Sequence, residues 1–211
     1  MLISLLQLLV LPPFYGCSPK VNTASAIQSD DTTFFIKDTK ILPGAYQIKE
    51  YLPLLLHKRV GLVINQTSTI GNTSLLDSLL HLGVDVKKIF IPEHGFRGTD
   101  SNGATISNST DEKTGLPLIS LYGKNKKPKT TDLEGLDLII FDIQDVGVRF
   151  YTYISTLHYI MESCAENNIE LLVLDRPNPN GFYIDGPVLD TQFRSFIGMH
   201  PIPIVYGLTI G

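Results

Sequence analysis

Three short segments combine residue types suited to chemistry. Ile91-Pro92-Glu93-His94-Gly95-Phe96-Arg97-Gly98-Thr99-Asp100 packs a carboxyl, an imidazole and a guanidinium into a short stretch with two glycines. Phe141-Asp142-Ile143-Gln144-Asp145-Val146-Gly147-Val148-Arg149-Phe150-Tyr151 places two carboxylates and an arginine after an apolar run. Leu174-Asp175-Arg176-Pro177-Asn178-Pro179-Asn180-Gly181 repeats the pattern. Such groups are costly to place for packing alone. They suit proton transfer and the holding of an anionic or polyhydroxylated ligand.

The elements between them have to bring these segments together. Arg59–Asn65 is a compact apolar run suited to a central strand. Asn72 or Thr73 can cap a helix whose apolar face is Leu75, Leu76, Leu79, Leu80 and Leu82, and Gly83 ends it. Val86–Ile91 reads as a second strand, Leu116–Tyr122 as a short apolar segment, Asp137–Ile143 as a strong strand, Ile169–Leu174 as another and Ile202–Tyr206 as a further one. Ile48–His57 has near-helical spacing interrupted by Pro53. Thr152–Asn167 has helical spacing through Ile154, Leu157, Ile160, Met161 and Cys164. Strands alternating with helices imply an α/β fold with an open parallel sheet covered on both faces. No GxGxxG follows the first strand, so the dinucleotide-binding variant of this architecture is not supported.

In such a sheet ligands bind outside the carboxyl ends of the strands. Gln66, Thr67 and Ser68 follow the first strand, and Glu93, His94 and Arg97 the second. Asp142, Gln144, Asp145 and Arg149 end or follow a later strand, and Asp175, Arg176 and Asn178 the next. All four loops therefore share one edge. Structural roles compete with functional ones at each position. Asp142 can bond backbone at the strand end. Asp175 and Arg176 can pair to order the Pro-Asn-Pro-Asn-Gly turn. His94 can support a neighbour, and Tyr151 can be a core residue.

The bulk numbers narrow the class. At 211 residues the chain holds one domain, or one and part of another. A net charge of −4 gives no electrostatic case for nucleic acid. Cys17 and Cys164 lie far apart and neither sits in a CxxC arrangement; Cys164 reads as a small buried residue. Met1–Pro13 is apolar and uncharged, too short to span a bilayer, and resembles the core of a secretion signal. The Gly16-Cys17-Ser18 that follows resembles a bacterial lipoprotein processing site, with Cys17 as the lipid-modified residue. The expected organisation is a signal segment over 1–17, a polar tether over 18–40, and a Rossmann-like domain over 41–211. The expected location is the periplasm, with anchoring to a membrane through Cys17. Thr209-Ile210-Gly211 reads as the start of an element, so a further C-terminal part is expected.

The motifs carry a resemblance. Pro92-Glu93-His94-Gly95-Phe96-Arg97-Gly98, Thr114-Gly115-Leu116-Pro117, Ser120-Leu121-Tyr122-Gly123 and Phe141-Asp142-Ile143-Gln144-Asp145-Val146-Gly147 occur in this order. Arg149-Phe150-Tyr151-Thr152-Tyr153, Leu174-Asp175-Arg176-Pro177-Asn178-Pro179, Asp185-Gly186-Pro187 and Tyr206-Gly207-Leu208-Thr209-Ile210-Gly211 follow. Together they closely resemble the NamZ-type exo-β-N-acetylmuramidases. The resemblance implies a Rossmann-like domain followed by a smaller C-terminal domain, with the active site between them. It implies release of terminal N-acetylmuramic acid from the non-reducing end of peptidoglycan fragments, with peptidoglycan saccharides as partners and no cofactor.

Glycoside hydrolysis needs a proton donor and a second group that activates water or attacks the sugar. On this resemblance Glu93 is the acid, His94 shares or orients it, and Asp142 or Asp145 supplies the second carboxyl. Arg97, Arg149 and Arg176 are candidates to read the lactyl carboxylate. Gln144, Tyr151, Asp175 and Asn178 complete the expected substrate-binding set. Two other classes compete. One is a metal-dependent phosphoesterase or deacetylase with Asp142, Asp145, Asp175 and His94 as ligands. The other is a non-catalytic lipoprotein that captures cell-wall sugars.

Overall fold

The central strands follow from uninterrupted apolar runs. In the computed structural model, which describes residues 41–92 and 109–211, β1 (Val60–Ile64) has all five residues buried. A short hairpin, β2 (Thr69–Ile70) and β3 (Thr73–Ser74), follows it. Next come α2 (Leu75–His81), preceded earlier in the chain by the one-turn α1 (Ile48–Tyr51), and then β4 (Val86–Ile91). The chain continues through β5 (Ser109–Thr110), β6 (Pro117–Ser120), α3 (Thr130–Leu133), β7 (Leu138–Asp142), α4 (Tyr153–Asn167) and β8 (Glu170–Val173).

The main sheet has the order β5-β6-β4-β1-β7-β8. Every pairing in it is parallel except that of β5 with β6. Counting only the parallel strands in chain order, the sheet runs 3-2-1-4-5, the Rossmann arrangement. The direction of winding reverses at β1, between β4 and β7. Val60 pairs with Leu138 and Ile64 with Asp142, so the ends of the two central strands are level.

Two apolar layers cover the sheet. Leu62, Ile64, Ile89 and Ile140 pack with Leu75, Leu76 and Leu79 of α2 on one face. Val63, Phe90, Ile139 and Phe141 pack with Leu157, Ile160 and Cys164 of α4 on the other. Burial of each such side chain is worth roughly 1.5–3 kcal/mol. Cys164 is buried, which pushes its thiol up to about 11. Met161 turns outward, because the buried stripe of α4 runs through positions 157, 160 and 164. The described residues all belong to one compact unit spanning Lys40–Gly211.

Local details differ from expectation at three places. The cap of α2 is Ser74, whose hydroxyl accepts from the Asp77 amide at 3.1 Å, not Asn72 or Thr73. Those two residues instead belong to the hairpin, where Gly71 takes φ +59 at the first position of a two-residue turn. Beyond Tyr51 the first helical segment tightens to 3-10 geometry across Leu52–Leu55, with Pro53 inside it. Ile202–Tyr206 forms no strand: Val205 makes isolated bridges with Val148 and Asp185. Pro201 and Pro203 lack the N–H groups a continuous ladder needs.

Candidate active site

The carboxyl ends of β1 and β7 flank the switch in winding, the crevice where open α/β sheets bind ligands. The loop after β1 is ordered by its own side chains. Asn65 Oδ1 accepts from the Thr67 amide at 2.9 Å and from the Thr67 hydroxyl at 2.5 Å. The Asn65 amide donates to Ser68 Oγ at 3.0 Å, and Ser68 Oγ donates to the Asp142 carbonyl oxygen. The Gln144 amide donates to Thr67 Oγ1 at 3.0 Å. These bonds tie the two central strand ends to each other.

Asp142 closes β7 with no exposed surface. Arg176, from the segment after β8, meets it with two bonds: Nε to Oδ1 at 2.6 Å and Nη2 to Oδ2 at 2.9 Å. Nη2 also donates to the Thr69 carbonyl at 3.2 Å. Burial pushes the Asp142 carboxyl up, and the Arg176 guanidinium pulls it back. With both oxygens accepting N–H bonds, the ion pair is the state this geometry matches. Arg176 therefore pairs with Asp142 and not with its chain neighbour Asp175. Asp175 accepts from the Gly211 amide at 3.1 Å.

Asp145 lies three residues further on and is also buried. Its Oδ2 accepts from the Gly147 amide at 2.9 Å and from the Tyr206 hydroxyl. Its Oδ1 is buried and has no hydrogen-bond partner among the described residues. Burial pushes this carboxyl up, while the Tyr206 hydroxyl holds it down. Burial and the Asp145 charge together raise the Tyr206 phenol.

The remaining loop residues hold the edge in shape. Gln144 Nε2 donates to the carbonyls of Asp145 and Pro177 at 2.7 and 2.9 Å. Asn178 Nδ2 donates to the Leu208 carbonyl at 2.8 Å, and its Oδ1 accepts from the Asn180 amide at 2.8 Å. Asn178 sits against Gly147, where φ is +69 and an added Cβ would lie 2.1 Å from Asn178 Nδ2. Arg149 Nη1 donates to the carbonyls of Pro187, at 3.1 Å, and Ile202. Tyr151 is about half exposed beside Phe150, with ring centroids 5.8 Å apart, and is not a core residue. Glu93, His94, Arg97 and Cys17 lie outside the described residues. Among the described residues no group of three or more His, Cys, Asp or Glu side chains could hold a metal ion.

The model of a known family, exo-beta-N-acetylmuramidase NamZ, N-terminal, matches residues 60–211. The chain belongs to the NamZ N-terminal family. It is 45 % identical over 195 residues to the peptidoglycan beta-N-acetylmuramidase NamZ of Bacillus subtilis. That alignment covers 90 % of this chain and 47 % of the Bacillus protein, so the chain spans about half the length of that relative. Two crystal structures of DUF1343 family proteins from Bacteroides fragilis are also similar. One is 46 % identical with a TM-score of 0.72, covering 81 % of this chain and 44 % of that one. The other is 42 % identical with a TM-score of 0.73, covering 80 % and 43 %.

Within this NamZ-family edge, the fold joins Asp142 to Arg176 and Gln144 to the carbonyls of Asp145 and Pro177, and sets Asn178 against Gly147. It leaves Arg149 turned to the 187–202 segment. Two residues escaped the sequence reading of the site. Asn65 directly follows β1, as Asp142 ends the level strand β7, and a polar residue closing an apolar run was the available signal. Tyr206 had no such signal, because its contact with Asp145 spans 61 positions.

Proposed function

We propose that the chain supplies the Rossmann-like part of an exo-β-N-acetylmuramidase. The reaction is release of terminal N-acetylmuramic acid from the non-reducing end of peptidoglycan fragments during cell-wall turnover. The observation that carries this reading is the 45 % identity, over 90 % of the chain, to a protein named for that activity. The polar edge at the winding switch supports it, since hydrolysis of a glycoside needs carboxyl groups held where a sugar can reach.

In this reading Glu93 protonates the leaving oxygen, and His94 orients it or shares the proton. Asp145 is the better candidate for the second carboxyl. Asp142 is fully buried with both oxygens on Arg176, whereas Asp145 keeps one oxygen without a partner. Among the arginines, Arg176 is already matched in charge by Asp142, and Arg149 holds two backbone carbonyls through one nitrogen. Arg97 is then the first candidate to read the lactyl carboxylate, which distinguishes N-acetylmuramic acid from N-acetylglucosamine. Tyr151, half exposed, is available to a ligand.

Product analysis tests the reaction. A chromogenic N-acetylmuramic acid β-glycoside is incubated with the chain, alone and joined to the remaining part of the Bacillus relative. Release of N-acetylmuramic acid, with the N-acetylglucosamine glycoside left intact, supports the reading. A folded protein that releases neither sugar in either form contradicts it.

The same reading exports the protein to the periplasm and holds it at a membrane through lipid on Cys17. Its support is the apolar stretch Met1–Pro13, then Gly16-Cys17-Ser18, then a polar stretch. Cys17→Ser is expected to shift the protein from the membrane to the soluble fraction, or to leave an unprocessed precursor. Unchanged fractionation and migration contradict it.

A further inference from the structure

The 187–202 segment is a strap fastened at its ends and along its middle. Its ends meet where Val205 bridges both Val148 and Asp185, and where Arg149 Nη1 donates to the carbonyls of Pro187 and Ile202. Its middle lies on α4. Phe196 stacks on Tyr159, with ring centroids 5.7 Å apart and planes 13° from parallel. Lys126 Nζ stands 4.4 Å from the centroid of the Phe196 ring. His200 then meets His158, with Nε2 and Nδ1 3.3 Å apart.

The partners fix which nitrogen donates. Lys127 lies 3.3 Å from Glu162 Oε2 and holds the Glu162 carboxyl below its ordinary range. Glu162 is therefore ionised at neutral pH and can only accept. Its Oε1 lies 3.2 Å from His158 Nε2, so that nitrogen carries the hydrogen. A neutral His158 accepts at Nδ1, and His200 Nε2 must donate to it. His200 Nδ1 is left as the bare ring nitrogen. The surroundings agree: Nδ1 is buried with no hydrogen-bond partner among the described residues, so an N–H there would be stranded. Donation runs from His200 to His158 to Glu162 and suits two neutral rings. An added proton has no place in this chain. On His200 it puts an N–H at the buried Nδ1. On His158 it makes Nδ1 a donor, and His200 can accept at Nε2 only by moving its own hydrogen to Nδ1.

We propose that the His158–His200 contact is an acid-released latch, which holds the 187–202 strap on α4 while both rings are neutral and lets go when the pair takes up a proton. The charged groups around it are Glu162 on α4, Lys127 from the stretch after β6, and Arg194 within the strap itself. Burial first, then the His158 and Arg194 charges, hold the His200 imidazole below its ordinary value. A ring whose folded pKa lies below its unfolded value of about 6.5 contributes its full stability above that value. The contribution is lost as pH falls through the folded pKa, so release belongs to the mildly acid range. The strap shares its base with the loop that carries Arg149 and leads to Tyr151, so release loosens that flank of the candidate edge.

Hydrogen exchange of the strap amides, followed by NMR on the 211-residue chain and corrected for the intrinsic pH dependence of exchange, reads the latch. Between about pH 7.5 and about pH 5 the strap is expected to lose protection at least about tenfold relative to the amides of β1, the linkage of one proton over one unit of pH. His200→Gln keeps a donor toward His158 and takes up no proton, so its strap protection should stay flat over that range. Phe196→Ala removes the stack on Tyr159 but not the histidine pair. It should lower protection at both ends of the range and leave the pH dependence in place. The ring nitrogen-15 shifts at neutral pH should mark both histidines as carrying their hydrogen on Nε2. Strap protection that does not change with pH in the parent, or that falls as steeply in His200→Gln, overturns the latch. A hydrogen found on His200 Nδ1 at neutral pH overturns the bond direction on which it rests.

Discussion

Around Asp142 the polar groups close on one another, whereas around Asp145 they stop one partner short. Asp142 ends a central strand, and each of its carboxylate oxygens accepts from Arg176. Its backbone carbonyl takes the Ser68 hydroxyl, so the corner also fastens β1 to β7. Asp145 stands three residues beyond, in the loop, and a backbone amide and a tyrosine hydroxyl hold one oxygen while the other has no hydrogen-bond partner among the described residues. The two carboxylates are alike in type and burial and differ in completeness. The satisfied one is suited to fixing the edge; the unsatisfied one is suited to taking up a proton.

The largest effect should come from breaking the closed corner. Arg176→Met leaves Asp142 buried without its partner, and the expected loss is about 3–5 kcal/mol of unfolding free energy near neutral pH. Urea denaturation measures it. The loss should shrink in acid, where the stranded carboxyl takes up a proton. A loss below about 1 kcal/mol would show that the pair does not fix the edge.

That pairing also marks where the sequence stopped being informative. The strands were legible because two-sided burial demands continuous apolar runs, and the shared edge followed from their parallel order. Asp142 was visible as a carboxylate closing such a run. Its partner was not: Asp175 adjoins Arg176 in the chain, and only the pairing of β7 with β8 carries Arg176 to Asp142 instead. Tyr206 was hidden for the same reason, its partner being distant in sequence. Ile202–Tyr206 looked like a strand by its apolar run, but Pro201 and Pro203 withhold the donors.

Breaking the open corner should cost less. Tyr206→Phe removes a hydrogen bond to a buried carboxylate, worth about 1.5–3 kcal/mol. It also removes what holds the Asp145 proton affinity down, so Asp145 should titrate higher still. The sign follows from linkage. A carboxyl whose folded pKa is raised above its unfolded value of about 3.9 contributes stability that is full below that value. The contribution is lost as pH rises through the folded pKa. The stability of the parent relative to Asp145→Asn should therefore fall as pH climbs from about 4, and Tyr206→Phe should extend that fall to higher pH. Carboxyl titration followed by NMR checks both. An Asp145 that titrates below the ordinary carboxylate range would remove the distinction between the two corners.

The smallest expected effect sharpens the comparison through the arginines. Arg149→Lys should leave the preference for N-acetylmuramic over N-acetylglucosamine glycosides nearly unchanged, because Arg149 serves the backbone of the 187–202 segment. Arg97→Lys should reduce that preference about tenfold, the bidentate fork being lost. Equal preference ratios in both variants would place selectivity elsewhere.

The most direct test of the account is turnover of an N-acetylmuramic acid glycoside by Glu93→Gln, in the form of the protein that releases the sugar. Loss of at least about a hundredfold in turnover, with the fold retained, is the expected result for a general acid. Turnover close to that of the parent would contradict it.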